Sequence, residues 1–112
     1  MQTENIVQLF PNKTSNEKMN LKDADALLSL ITTITRKTKQ EINVINSQAA
    51  YFKGQAIKTA ELQNKVNDVI QKWSDKMNKL GVSPVAMFKV KFDLQEGTYY
   101  WEFPEMRLFQ EH

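Results

Sequence analysis

The residues able to do chemistry are few. The chain has one histidine, His112, three glycines and no cysteine. Without cysteine there is no thiol nucleophile, no thiolate zinc site, no iron–sulfur cluster and no disulfide. The glycines form neither a GxxxxGK nor a GxGxxG pattern, which excludes the phosphate loops that rely on glycine backbones. Nucleophile–base–acid triads ordinarily need a histidine, and His112 is the final residue, where a chain is held least rigidly. Asp23 and Asp25 resemble a paired-acid metal motif, but residues two apart on a helix diverge by about 200°. Acids in a first helical turn are explained by the helix dipole. One region could bring acids, aromatics and an imidazole together: Glu102, Glu105 and Glu111 lie close in sequence to Tyr99, Tyr100, Trp101 and His112. The same residues also read as a polar strand face followed by a solvated tail. No catalytic residue, metal site or cofactor is therefore expected.

The elements that must position this region can be read from hydropathy. The chain is 112 residues long, 41% hydrophobic and 25% charged, enough for one domain with a small core and no metal or disulfide support. Residues 1–18 are mostly polar around one apolar island, Ile6-Val7-Gln8-Leu9-Phe10, and read as a flexible N-terminal tail. Residues 19–112 make up the domain. Asn20 caps a helix, with Asp23 placed to reach back in a capping-box arrangement. From there Ala24, Leu28, Ile31, Thr35, Thr38, Ile42, Ile45, Ala49 and Phe52 recur at spacings of three and four, predicting a helix over 21–52. Thr35 and Thr38 weaken the middle of the stripe, so looser packing is expected there than at its ends. Gly54 breaks the pattern.

A second stripe, Leu62, Val66, Val69, Trp73, Lys76 or Met77, and Leu80, predicts a helix over 57–80. Lys76 and Lys79 in the last turn, Gly81, Val82 folding back on Met77, and Pro84 all signal its stop. Two long helices joined by a short link run antiparallel. After Pro84 the period changes to two. Phe88, Val90 and Phe92, then Tyr99, Trp101 and Phe103, predict strands over 86–92 and 99–103 around a turn containing Gly97. Pairing Phe92 with Tyr99 matches Val90 with Trp101, Phe88 with Phe103, Lys89 with Glu102 and Lys91 with Tyr100. The fold class is α+β: a long antiparallel helical hairpin, then a two-stranded antiparallel β-hairpin packed on it, with Trp73 and Trp101 in the interior.

The net charge of +2 does not call for nucleic acid or an anionic membrane. Residues 53–80 carry six lysines against Glu61, Asp68 and Asp75, interleaved as on a solvated helix face. No apolar run approaches the roughly 20 residues of a bilayer span and no signal peptide is recognisable, so a cytoplasmic protein is expected.

Several segments together resemble a known family. They are Asn20-Leu21-Lys22-Asp23-Ala24-Asp25-Ala26-Leu27-Leu28, Leu80-Gly81-Val82-Ser83-Pro84, Val90-Lys91-Phe92-Asp93, Gly97-Thr98-Tyr99-Tyr100-Trp101 and Pro104-Glu105, with a histidine a few residues on. Over about 90 residues their order is similar to that of the bacterial domain of unknown function family 2203. The resemblance implies two long helices, a Gly-Val-x-x-Pro link and a hydrophobic hairpin, but no activity. The acid, Gly-Phe and Arg segment that follows the histidine in that family has no counterpart here, so the likeness is to a C-terminally shortened member.

The function expected is a non-catalytic protein-interaction or self-association module. It would form a homodimer or higher oligomer through its long helices, where Leu27, Leu30 and Ile34 lie partly off the main stripe. An unidentified protein partner would bind the outward face and exit of the β-hairpin, at Lys89, Lys91, Tyr100, Glu102, Glu105 and His112. The alternative is a small-ligand-binding protein or vestigial enzyme using Tyr100, Trp101, Glu102, Glu105 and His112. Nucleic-acid binding through the lysines of the second helix ranks last.

Overall fold

The computed structural model describes residues 18–111. The apolar island at residues 6–10 and His112 lie outside the described residues. Helix α1 spans Leu21–Tyr51 and helix α2 Ala56–Lys79; strands β1 (Ser83–Ala86), β2 (Lys89–Leu94) and β3 (Gly97–Glu102) follow. The fold is α+β, a helical hairpin with an antiparallel sheet of order β1-β2-β3 packed against one end of it.

Helix α1 starts where its cap residue is. The Asn20 side chain accepts from the Asp23 amide at 2.8 Å. A second open amide of the first turn, Leu21 N, donates to Glu96 Oε1 at 2.9 Å, so a distant turn completes the cap. The stop of α2 has Schellman geometry. Gly81 adopts φ 92°, and the Val82 amide donates to the Met77 carbonyl at 3.2 Å, with both side chains buried.

The stripe read from α1 faces inward along its length, but its centre departs from expectation. Thr35 is fully buried and its Oγ1 accepts the Trp73 indole N–H at 2.9 Å, while Thr38 Oγ1 donates to the Ile34 carbonyl at 3.0 Å. The centre is tight where the hydropathy pattern implies looseness. Threonine leaves room for the indole on the facing helix, and its hydroxyl satisfies an N–H that burial would otherwise leave open.

Strands β2 and β3 pair in the register read from alternation: Lys89 with Glu102, Val90 with Trp101, Lys91 with Tyr100 and Phe92 with Tyr99. The ladder continues to Leu94 and Gly97, which tightens the turn to Gln95 and Glu96. The sheet has three strands where two are expected. Ser83 pairs with Lys91, Pro84 with Val90 and Ala86 with Lys89, with an irregularity between Pro84 and Ala86. Pro84 is tolerated because β1 is an edge strand. The turn into β2 places Phe88 at φ 60°, left-handed backbone that costs a bulky residue roughly 1–3 kcal/mol. Packing offsets the cost: the Phe88 ring meets Trp73 edge-on at 5.5 Å and Phe103 at 6.4 Å.

One face of the sheet supplies Val90, Phe92, Leu94 and Trp101 to the main core, which they share with Ala24, Leu28, Ile31, Trp73, Met77 and Val82. Trp73 and Trp101 are both interior, as the helical stripe and the strand alternation respectively require. Lys18, assigned by composition to the tail, is tied to the sheet. Its carbonyl accepts from Gln95 Nε2 at 2.8 Å, its ammonium lies 3.7 Å from Asp93, and Met19 bridges Leu94 in parallel.

Candidate functional site

Period-two alternation that buries Val90, Phe92 and Trp101 turns Lys89, Lys91, Tyr100 and Glu102 to the other face of the sheet. Beyond β3, residues 103–107 include the cis Phe103-Pro104 bond, and the chain then comes back along the outer edge of β3. There Tyr100 and Phe109 exchange backbone hydrogen bonds, Tyr100 N to Phe109 O at 2.7 Å and Phe109 N to Tyr100 O at 2.9 Å. The Phe109 ring stacks on Tyr100, with centroids 6.1 Å apart and planes inclined by 29°.

Lys89 runs diagonally across β3. Its ammonium lies 5.3 Å from the Tyr100 ring centroid and 5.9 Å from that of Phe109, and it donates to Glu111 Oε2. Rings and carboxylate enclose the amine, leaving its side chain 19% exposed. The Lys89 ammonium is held above its ordinary value, chiefly by the hydrogen bond to Glu111; partial burial opposes this, and the nearby charges of Glu111 and Glu102 add to it. Cation–π attraction from both rings also favours the charged form.

The residues expected to act together are only partly brought together. Lys89 and Tyr100 touch, and Lys91 lies opposite Tyr100 in the ladder. Glu102 lies opposite Lys89, yet the carboxylate bonded to Lys89 is that of Glu111, because the returning segment carries it over the rings to the ammonium. Glu105 is exposed and takes part through its backbone, its amide donating to Glu102 O at 2.9 Å and its carbonyl accepting from Trp101 Nε1 at 2.7 Å. Trp101 is fully buried and so belongs to the interior, which removes it from the set drawn for a ligand site. Phe109 was not anticipated. The one signal for it is its spacing from Glu111, since residues two apart share a face in an extended segment.

Open grooves also lie elsewhere among the described residues. One, of about 420 Å³, runs beside α1 and is lined by Asp25, Leu28, Ser29, Thr32, Thr33, Arg36 and Met106. Another, of about 510 Å³, lies at the tip of the helical hairpin around Gln55, Ile57, Lys58 and Glu61. Among the described residues no group of three or more acidic or histidine side chains could hold a metal ion, and no helix is long and apolar enough to cross a membrane. The chain matches no family model, no curated protein and no solved structure.

Proposed function

We propose that the chain is a non-catalytic protein-interaction module whose recognition surface is the outward face of the sheet. The observation that carries this reading is the grouping of Lys89, Tyr100, Phe109 and Glu111 on one accessible face. Aromatic rings on a rigid, buried support with charged groups around them match the aromatic centre and polar rim of protein-recognition patches. Lys91 and Glu102 flank the group in the ladder, and Glu105 and His112, the latter outside the described residues, belong to the same proposal by their place in the sequence. Self-association through the long helices is part of the same proposal, supported by exposed Leu30 and Val44 on α1 and by Tyr51 and Ile57 at the tip. A cysteine-free chain suits a cytoplasmic setting. Kinship with domain of unknown function family 2203 is proposed on the helix start at Asn20, the stop at Gly81 and the aromatic hairpin.

The test compares the full chain with a Lys91→Ala, Glu102→Ala variant as bait in cross-linking capture from cells. The expected result is a loss of bound partner of roughly tenfold or more, with the thermal melt nearly unchanged. Recovery of the same proteins at the same yield by both baits overturns the reading.

A further inference from the structure

Within the group that carries the interaction reading, Phe109 and Glu111 belong to a returning segment that covers the other two members, Tyr100 and Lys89. Residues 108–111 lie on the outer edge of β3 and are attached to its ladder, among the described residues, by the single Tyr100–Phe109 pair. That pair exchanges both backbone hydrogen bonds, the closed geometry of an antiparallel ladder. Phe109 and Glu111 project from one face of the segment and converge on the same two residues, the ring on Tyr100 and the carboxylate on Lys89.

None of these contacts is peculiar to a tethered strand. A main-chain pair at a sheet edge gives affinity, and alternate side chains in receptive positions give specificity, as in strand addition generally. The edge also has room for more. Because main-chain direction alternates along a strand, Thr98 and Glu102 present their amides and carbonyls on the same side as Tyr100. The Glu102 carbonyl is taken by the Glu105 amide, whereas Thr98, opposite Glu111 in this register, is not bridged by the segment.

We propose that residues 108–111 are a tethered stand-in for the partner of this surface. That partner is an extended peptide segment carrying an aromatic residue and, two positions later, a carboxylate; it adds antiparallel to the outer edge of β3 and displaces 108–111. The inference rests on the interaction reading and names the chemistry of its partner. Tethering gives the internal copy a high effective concentration, so the free chain masks the site until a segment able to pair further, toward Thr98, competes.

The test uses a labelled peptide with the sequence of residues 105–111, titrated by fluorescence anisotropy into the full chain and into a full-length Phe109→Ala, Glu111→Gln variant. The variant is expected to bind the peptide roughly tenfold or more tightly than the parent chain, because the tethered competitor is disabled. A peptide carrying the same two substitutions should lose that binding. No binding to the folded variant at millimolar peptide, or equal binding of both peptides, overturns the proposal. Should the variant fail to fold, hydrogen exchange on the parent chain decides. The Tyr100 and Phe109 amides are expected to exchange roughly tenfold or more faster than the Val90 and Trp101 amides, and equal protection overturns displacement. If the peptide fails while the Lys91→Ala, Glu102→Ala bait still loses its partner, the interaction function stands and only the stand-in role is lost. If the peptide binds while that bait behaves like the parent, the edge of β3 is the recognition site and the outward face at Lys91 and Glu102 is not.

Discussion

The two ends of the helical hairpin are built from the same kind of stripe and have different supports. At the end near the sheet, Ala24, Leu28 and Ile31 of α1 and Trp73 and Met77 of α2 are covered by a third element, the inner face of the sheet. At the far end Ile42, Leu62 and Val66 are buried outside that main core, in the seam between the helices, and Tyr51 and Ile57 beside the turn are 83% and 80% exposed. Regular periodicity therefore does not set how firmly a helix is held; what lies over the stripe does. The consequence for function is a division of labour. In the proposed function the covered end is the rigid base for the outward face of the sheet, and the uncovered end is the apolar surface proposed for self-association.

The largest effect that would break the comparison comes from the supported end. Trp101→Ala leaves a cavity between sheet and helices and should destabilise the fold by about 3–5 kcal/mol in chemical denaturation. A loss under about 1 kcal/mol would mean that the sheet is not what holds this end together. At the far end Leu62→Ala removes a side chain shared by two helices alone, and about 2–3 kcal/mol is expected. Faster hydrogen exchange should appear in the amides around residues 55–62 and leave those of β2 and β3 unchanged; spreading into the sheet would show that the two ends form one cooperative unit. The smallest effect sharpens the contrast. Glu96→Ala removes the acceptor of the Leu21 amide, with an expected cost of about 0.5–1 kcal/mol and exchange loosened only in the first turn of α1.

Which features were legible in the sequence follows from how locally each is encoded. The β2–β3 register was readable because one pairing of Phe92 with Tyr99 satisfies every apolar and charged position at once. Strand β1 was not, since Ser83-Pro84-Val85-Ala86 does not alternate and its turn is made by Met87 and Phe88 in place of the usual Gly or Asn. Thr35 and Thr38 looked like a weak point because hydropathy scores a threonine apart from its partner, and the Trp73 indole that completes Thr35 is 38 residues away. The site was half legible. Lys89 and Tyr100 follow from the strand pattern, whereas Phe109 and Glu111 reach them only through the course of residues 103–107, and Leu108-Phe109-Gln110-Glu111 by itself carries no period.

The bond from Leu21 to Glu96 also sets an order of events in time. It joins residues 75 positions apart, and the Gln95 amide closes a similar span by donating to the Met19 carbonyl at 2.9 Å. As the chain leaves the ribosome, both helices can form and pair through contacts that are nearer in sequence and Asn20 can cap the Asp23 amide, but the Leu21 amide has no Glu96 carboxylate to meet until the turn at residues 95–96 has emerged. The start of the domain is thus joined to residues synthesised near its end, and these two bonds can close only once the β2–β3 turn is present.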